Sequence, residues 1–270
     1  MGAGESKEIR GYTIDEKLGS GCFGEVFKCN KDGKTYAIKK MVVNDSATIK
    51  EVRSHMGLSH INVVKYIDSF SDEGYLWIVL EYCSGGNLND YVLRQNPNSS
   101  ELIRCIRQVL YGVEYLHSNR VLHRDIKPDN VMMQGNTLKL ADFGLARIWS
   151  LSNDSEYYDL KGQKGLGPPY YTAPEVQLGN ITKAVDIFSV GCMIIAMFSR
   201  TTISWAGGKQ LLAPYINNPN NQITDASEQA KKNYVGKLNG LTGGQKDMVV
   251  KMVEDKWRNR PSATAAKASF

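Results

Sequence analysis

The stretch His123-Arg124-Asp125-Ile126-Lys127-Pro128-Asp129-Asn130, followed by Asp142-Phe143-Gly144, decides how this chain is interpreted. One carboxylate in it can receive a proton from a hydroxyl group, and a second, with an amide oxygen, can hold hard cations that bridge phosphates. Each residue alone is a common turn or capping residue. The whole string, with Asp142 placed twelve residues after Asn130, has very little chance of arising as loop chemistry. It therefore predicts a site that handles hydroxyl groups and phosphates.

A glycine-rich stretch near the start, Gly19-Ser20-Gly21-Cys22-Phe23-Gly24-Glu25-Val26, is a candidate phosphate-binding loop. Glycines let the backbone approach a phosphate closely and adopt positive φ angles. Alone, the pattern also fits an ordinary turn or a dinucleotide-binding fold. In the dinucleotide-binding fold a helix follows the glycines, whereas here Val26–Asn30 continues as a strand. We therefore predict a hairpin of strand, glycine loop and strand.

Lys39 and Glu51 form the next candidate pair. Lys39 lies thirteen residues after Val26, and Glu51 follows twelve residues later. A lysine on a strand facing phosphates supplies positive charge where a nucleotide is most negative, and a carboxylate from a neighbouring helix can hold that ammonium in place. Lysines are more often surface residues, and Lys40, which points the other way on a strand, is expected to be one.

Length and composition exclude several classes of protein. A chain of 270 residues allows one large domain or two closely packed lobes, and 42% hydrophobic with 23% charged residues is typical of soluble globular proteins. The longest apolar run, Val190–Phe198, is about half of what a membrane span needs, and the start does not resemble a secretory leader. The five cysteines are scattered without a CxxC pair, and the net charge of +5 is spread along the chain. We expect an intracellular protein, cytoplasmic or nuclear, with free thiols, without a membrane span and without direct nucleic-acid binding.

Hydrophobic periodicity divides the chain into a strand-rich part and a helical part. The predicted strands are Tyr12–Leu18, Val26–Asn30, Thr35–Met41, Val63–Phe70 and Leu76–Tyr82. The predicted helices are Ala47–Leu58, Glu101–Ser118 and Val185–Phe198, the last apolar nearly all round. Loops are expected at Asn217–Asn221 and Gly240–Gln245, and a hinge near Cys83-Ser84-Gly85-Gly86.

These landmarks together resemble the eukaryotic protein kinase family, over about Tyr12 to Phe270. Besides the motifs quoted above, the resemblance includes Ala173-Pro174-Glu175, Asp186 at the start of the buried helix, and Arg260 near the end. It implies an α+β, bilobal fold. Residues 1–82 would be a β-rich N-lobe with one main helix, residues 83–270 a mostly helical C-lobe, and the two together one kinase domain with ATP in the cleft.

The resemblance also implies roles for individual residues. Asp125 would orient and deprotonate the substrate hydroxyl, Lys127 would offset charge on the transferred phosphoryl group, and Lys39 would contact the α- and β-phosphates while pairing with Glu51. Asn130 and Asp142 would hold Mg²⁺. The remaining nucleotide-binding residues are the glycine loop, the residues around the adenine, and the hinge with the residue before it: Leu18, Gly19, Gly21, Gly24, Val26, Ala37, Leu80, Glu81, Cys83 and Met132.

Lys127 after Ile126 matches serine/threonine kinases, so protein substrates with Ser/Thr acceptors are expected, alongside regulatory proteins. Two departures keep a dual-specificity or tyrosine-directed kinase open: Pro168 stands where serine/threonine kinases usually place a threonine, and Thr172 precedes Ala173 as in many tyrosine kinases. A nucleotide-binding pseudokinase scaffold is a weaker alternative, since Lys39, Asp125 and Asp142 are all present.

Two further departures concern the family's stacked regulatory residues and its activation segment. The stack would here be His55, Tyr66, His123 and Phe143, with a histidine where an aliphatic residue is usual, unless the helix register places Met56 there; we favour His55. The usual phosphorylation position is occupied by Lys164. Arg124 would then pair with a phosphate on Ser155, Tyr157 or Tyr158, or with the fixed carboxylates of Asp154, Glu156 or Asp159, and we favour the carboxylates. A third reading is a mobile loop with no ordered role until a partner binds.

Overall fold

The computed structural model describes residues 7–21, 24–42, 52, 55–148, 169–179, 181–204, 208–216 and 222–270. Its first part is one antiparallel sheet of six strands in the order β1-β2-β3-β4-β6-β5. The strands are β1 (Glu8–Ile9), β2 (Tyr12–Gly21), β3 (Gly24–Lys31), β4 (Lys34–Val42), β5 (Tyr66–Asp72) and β6 (Tyr75–Glu81). The five predicted strands are present. Strand β1 was not predicted, because two residues are too few to show alternation.

Alternation along β4 gives the sheet two different faces. Ile38 is fully buried and packs with Tyr12 and Trp77 in a small hydrophobic core on one face. The next residue, Lys39, is 5% exposed and points to the opposite face, because successive side chains of a strand alternate. The sheet therefore keeps a complete core of its own while it holds a buried lysine on its other side.

The second part of the chain is mainly helical. Its helices are α1 (Leu88–Gln95), α2 (Ser99–Ser118), α3 (Ala184–Ser199), α4 (Glu228–Lys237), α5 (Gly243–Met252) and α6 (Ala263–Lys267). Helix α2 begins with a reciprocal cap in which the side chains of Asn98 and Glu101 each accept the other's backbone N–H. Helix α3 is buried on all sides, as its apolar sequence predicted, and forms the centre of the main core.

Short strands connect these helices and frame the loops between them. They are β7 (Val121–Leu122), β8 (Val131–Gln134), β9 (Thr137–Leu140), β10 (Arg147–Ile148), β11 (Thr202–Ser204) and β12 (Gln210–Leu212). They form three two-stranded sheets, β7 with β10, β8 with β9 and β11 with β12. In the described ranges, no helix is long and apolar enough to cross a membrane.

Two predicted boundaries were wrong. The strand expected from Val63 begins at Tyr66, because Val63 and Val64 pair with Leu140 of β9 instead. The loop expected over Gly240–Gln245 ends early, since the side chains of Thr242 and Gln245 cap each other's backbone and start helix α5 at Gly243. Most of the helix predicted over 47–58, with Glu51, and the loop Asn217–Asn221 lie outside the described residues.

Candidate active site

The loop of residues 123–130, which we call the catalytic loop, runs between β7 and β8 and is anchored by a buried carboxylate. Asp186, in the first turn of α3, accepts the backbone N–H groups of His123 at 3.0 Å and Arg124 at 2.7 Å. Its Oδ2 also lies 2.9 Å from Nε2 of His117. Burial works against the ionised form, but the His117 hydrogen bond and neighbouring positive charge outweigh it, so the pKa of Asp186 lies below its usual value. The loop therefore rests on an anion inside the core.

Asp125 is fixed by two neighbours from its own loop. The Lys127 Nζ donates to both carboxylate oxygens of Asp125 at 2.9 Å. The Asn130 Nδ2 donates to Asp125 Oδ2 at 2.7 Å and to the Asp125 carbonyl at 2.9 Å. The side chains of Asp125 and Lys127 are each 18% exposed. A carboxylate held in this way is already oriented, and its partial exposure leaves it accessible from solvent.

Lys39 and Asp142 meet although 103 residues separate them, with the Lys39 Nζ donating to Asp142 Oδ1 at 2.9 Å. Asp142 adopts the left-handed conformation at φ 60°, and its Oδ1 also accepts the Gly144 N–H. Lost hydration raises the pKa of Asp142, but the charge and the hydrogen bond of Lys39 lower it by more. The pKa of Asp142 is therefore below its usual value. Asp142 is therefore an anion with a cation beside it. Glu51, the other expected partner of Lys39, lies outside the described residues.

Asn130 and Asp142 are brought together by the backbone, because the N–H of Ala141 donates to the Asn130 carbonyl at 2.9 Å. One amide oxygen and one carboxylate form a donor set that suits Mg²⁺, which is commonly bound by one or two protein groups and completes its shell with phosphates and water. The residues present therefore fit the predicted metal.

The glycines of the predicted loop lie at the β2–β3 hairpin, where Gly21 is paired with Gly24 and Gly19 with Val26. Gly24 has φ 130°, and a Cβ at this position would be 2.1 Å from the Lys40 carbonyl oxygen. No other residue type fits there without moving β4, since both the dihedral angle and the space exclude a side chain. Cys22 and Phe23, between the two strands, lie outside the described residues.

Several of the predicted adenine-binding residues lie on segments that are joined by backbone hydrogen bonds. Ala37 of β4 is paired with Leu80 of β6, and Met132 of β8 bridges to Asn87 after the expected hinge. Leu18 is 42% exposed, Cys83 is buried, and the side chains of Val26, Ala37, Leu80 and Met132 are partly buried.

Two polar residues near the hinge are engaged elsewhere. The Glu81 carboxylate accepts the Lys65 N–H and pairs with Lys139 at 3.1 Å, so this side chain is already engaged within the protein. The Asn87 side chain caps α1 by accepting the Asp90 N–H.

Four aromatic rings next to Asp142 form a continuous series of ring contacts, of which the His55–Phe143 pair is stacked. Ring centroids lie 6.1 Å apart for His55 and Tyr66, 4.1 Å for His55 and Phe143, and 5.1 Å for His123 and Phe143. His55 is 3% exposed and Met56 is 55% exposed, which confirms the assignment of His55 to the stack.

Some predicted features cannot be placed and one anchoring residue was missed. Pro168, Lys164 and the carboxylates between 152 and 159 lie outside the described residues, and Arg124 donates to the Leu145 carbonyl at 3.2 Å. The missed residue is His117, the partner of Asp186. A histidine on the apolar face of a helix looks like ordinary core in a sequence, and nothing local marks a partner 69 residues away.

Comparison with known proteins gives one family and many relatives. A family model described as protein kinase domain matches residues 12–269. The chain is 36% identical over 196 residues to the serine/threonine-protein kinase dst1 of Dictyostelium discoideum, covering 69% of this chain and 26% of that protein. It is 38% identical over 196 residues to cell division control protein 7 of Schizosaccharomyces pombe, covering 68% and 18%.

A third relative is the interferon-induced, double-stranded RNA-activated protein kinase of Rattus norvegicus. It is 33% identical over 220 residues, covering 68% of this chain and 42% of that protein. The chain thus spans less than half the length of these curated relatives.

Proposed function

The chain belongs to the protein kinase family, and from this premise we propose that it transfers the γ-phosphoryl group of ATP, with Mg²⁺, to serine and threonine hydroxyls of protein substrates. The observation that carries the proposal is the carboxylate of Asp125 held by Lys127 and Asn130. That arrangement supplies what the transfer needs: an oriented carboxylate that can accept a proton, with a positive charge next to it.

Asp125 orients the acceptor hydroxyl and takes its proton. Transfer of a phosphoryl group passes through a loose transition state, so that positioning and charge neutralisation supply most of the rate. Lys127, 2.9 Å from Asp125, supplies positive charge to the phosphoryl group as it moves. The rigid attachment of this loop to Asp186 keeps both groups in register with the acceptor.

The nucleotide is held from the sheet and from the residues after β9. Lys39 binds the α- and β-phosphates, the backbone of Gly19, Gly21 and Gly24 covers them, and Asn130 with Asp142 would hold the metal. When bound, Mg²⁺ neutralises the charge on the β- and γ-phosphate oxygens. The buried position of Lys39 strengthens its attraction for phosphate, because charges interact more strongly where water is excluded.

The base of ATP lies between the sheet and strand β8. Leu18, Val26, Ala37 and Met132 contact its faces. Leu80 borders the pocket, and the backbone from Glu81 to Cys83 binds its edge. The first lobe, residues 1–82, and the second, residues 83–270, meet at this hinge.

Serine/threonine selectivity is supported by Lys127 and by the names of the relatives. Thr172, which is exposed, and Pro168 are the two sequence features that favour a dual-specificity or tyrosine-directed kinase. An intracellular location is supported by the buried free cysteines of the described residues, Cys29, Cys83, Cys105 and Cys192, since a reducing compartment maintains free thiols.

The test is phosphorylation of degenerate peptides containing Ser, Thr or Tyr with labelled ATP, followed by phosphoamino-acid analysis. Phosphoserine and phosphothreonine are expected. Phosphotyrosine alone would overturn the hydroxyl preference, and a chain that binds ATP without transferring phosphate would be a scaffold.

A further inference from the structure

A short hairpin between helices α3 and α4 lies against the proposed catalytic loop. Its strands β11 and β12 are antiparallel, with Thr202 opposite Leu212 and Ser204 opposite Gln210. Lys209 immediately precedes β12.

Strand β12 is fastened to helix α1 by one buried side chain. Asn89 is fully buried, its Nδ2 donates to the Gln210 carbonyl at 3.1 Å, and its Oδ1 accepts the Leu212 N–H at 2.8 Å. One amide group thus satisfies two backbone groups on the outer edge of β12, as a neighbouring strand would. The hairpin therefore has a fixed position relative to α1.

A second attachment joins β12 to the segment before Glu175. The Tyr171 hydroxyl donates to the Leu212 carbonyl at 2.7 Å, and the Tyr171 carbonyl accepts the Ser189 hydroxyl of α3 at 2.7 Å. Burial, and next the negative charge of Asp129, raise the pKa of Tyr171 well above its usual value. The phenol therefore stays protonated and keeps donating.

These attachments place Lys209 on the catalytic loop. Its Nζ lies 2.6 Å from Oδ1 of Asp129, a residue 80 positions earlier. Asp129 sits in the turn Pro128–Asn130, directly before Asn130 and four residues after Asp125. The Asp129 side chain is 19% exposed and that of Lys209 is 45% exposed, so the pair lies at the surface of the loop.

Under the proposed function, a polypeptide with its hydroxyl group at Asp125 passes over this surface. An extended chain advances about 3.3 Å per residue, so a peptide whose hydroxyl is at Asp125 places residues two or three positions away beside the rest of the loop. An unpaired Asp129 would attract a basic side chain there. Lys209 already holds that carboxylate, and an ammonium has three donors, of which Asp129 takes one.

We infer that Lys209 is a specificity-determining residue: it occupies Asp129 and directs the site towards polypeptides with an acidic rather than a basic side chain at the position facing Asp129. This inference rests on the proposed kinase function, since it concerns the same site. It adds the charge class of the substrate and assigns the hairpin as the element that sets it.

The experiment measures binding, so that it does not depend on turnover. Each labelled peptide contains one serine and carries either Arg or Glu at one of the three positions before it or the three positions after it. Affinities are measured by fluorescence anisotropy in the presence of a non-hydrolysable ATP analogue and Mg²⁺. The proteins are the wild type, Lys209→Met, Lys209→Gln, Lys209→Met with Asp129→Asn, and the control Lys251→Met, which changes an exposed lysine of α5.

In the wild type, a Glu peptide should bind more tightly than the matching Arg peptide at one position. Both Lys209 variants should strengthen binding of that Arg peptide by about fivefold, the size expected for a partly exposed ion pair. Adding Asp129→Asn should remove the gain. Equal profiles for wild type and Lys209 variants, or a gain that persists without Asp129, overturn the inference. Phosphate transfer to the same peptides is scored separately and decides the proposed function alone.

Discussion

The imidazole of His55 stacks on the phenyl ring of Phe143, with ring centroids 4.1 Å apart and planes inclined by 19°. Its Nε2 lies 2.5 Å from the Val64 carbonyl, in the segment that leads into β5. An aliphatic side chain at this position could pack on Phe143 but could not bond to that carbonyl. His55 therefore links Phe143, which follows Asp142, to the backbone that enters the sheet.

The buried position of His55 makes stability depend on pH. Burial lowers the pKa of His55 to about 4, with smaller contributions from the charges of His123 and Lys39, while the Val64 hydrogen bond raises it in part. The unfolded chain has a His pKa of about 6.5. Between these values the unfolded state binds more protons, so the free energy of unfolding should fall as pH drops from about 6.5 to about 4.

We expect His55 to account for up to about 3 kcal/mol of that loss. The measurement is urea unfolding of wild type and His55→Leu across this pH range. Other titrating groups cancel in the difference between the two proteins. A stability difference that stays constant with pH would show that His55 is not held neutral in the folded protein.

Replacing Asp125 with Asn should separate binding from turnover. The amide has the size of the carboxylate and keeps one oxygen that can accept from Lys127. It cannot take up a proton, so turnover should fall on the order of 10²- to 10⁴-fold. Stabilisation by an ATP analogue should be almost unchanged, because Asp125 contacts the acceptor and not the nucleotide. Asp247→Asn, the same chemical change at a surface site on α5, is the control. Turnover near that of the control would refute the role of Asp125.

Replacing Asp142 with Asn should remove the effect of magnesium on nucleotide binding. The wild type should gain thermal stability from the ATP analogue, because only the folded cleft binds the ligand. The gain should be larger in MgCl₂ than in EDTA, because the metal held by Asp142 strengthens nucleotide binding. The variant also loses its charge pairing with Lys39, so the shifts on ligand addition are compared rather than the melting temperatures. A wild type with equal shifts in MgCl₂ and EDTA, or a variant with the wild-type magnesium increment, would contradict the metal role.

Sequence could predict the parts of this molecule whose signals are local. The residues of the 123–130 loop lie close together in the chain, and a helix as apolar on every side as α3 is stable in water only when other elements surround it. The helix start at Gly243 was missed because two glycines are poor helix formers and the decisive feature is the Thr242–Gln245 cap. A cap of this kind is a weak signal unless an apolar run follows it.

Contacts between distant residues could not be predicted in the same way. Lys209 and Asp129 are 80 residues apart, and each has the character of an ordinary surface residue. Their meeting depends on Asn89, which fixes β12, and a buried asparagine has no signature in a single sequence. The contact between Lys209 and Asp129 is therefore visible only in three dimensions, whereas local sequence patterns were enough to predict the fold.

Arg260 and Glu175 form a buried ion pair that ties the end of the chain to the Ala173-Pro174-Glu175 segment. The two guanidinium nitrogens Nη1 and Nη2 donate to Oε1 and Oε2 of Glu175 at 2.6 and 2.8 Å, and both side chains are almost completely buried. The remaining donors reach the carbonyls of Glu254 and Ala184. Every nitrogen of this guanidinium is thus matched inside the core.

Removing both partners of such a pair should cost less than the sum of the two single removals. Glu175→Gln leaves a buried cation without its anion, and Arg260→Met leaves the reverse, so each should lower the free energy of unfolding by about 3–5 kcal/mol. The double variant should lose clearly less than the sum, because neither charge remains uncompensated. Lys7→Ala, which breaks the exposed pair with Glu73, should change the free energy of unfolding far less than either buried substitution, because water already screens that pair. Denaturant unfolding of the five proteins measures all these terms, and additive losses in the double variant would mean that the two side chains stabilise the fold independently.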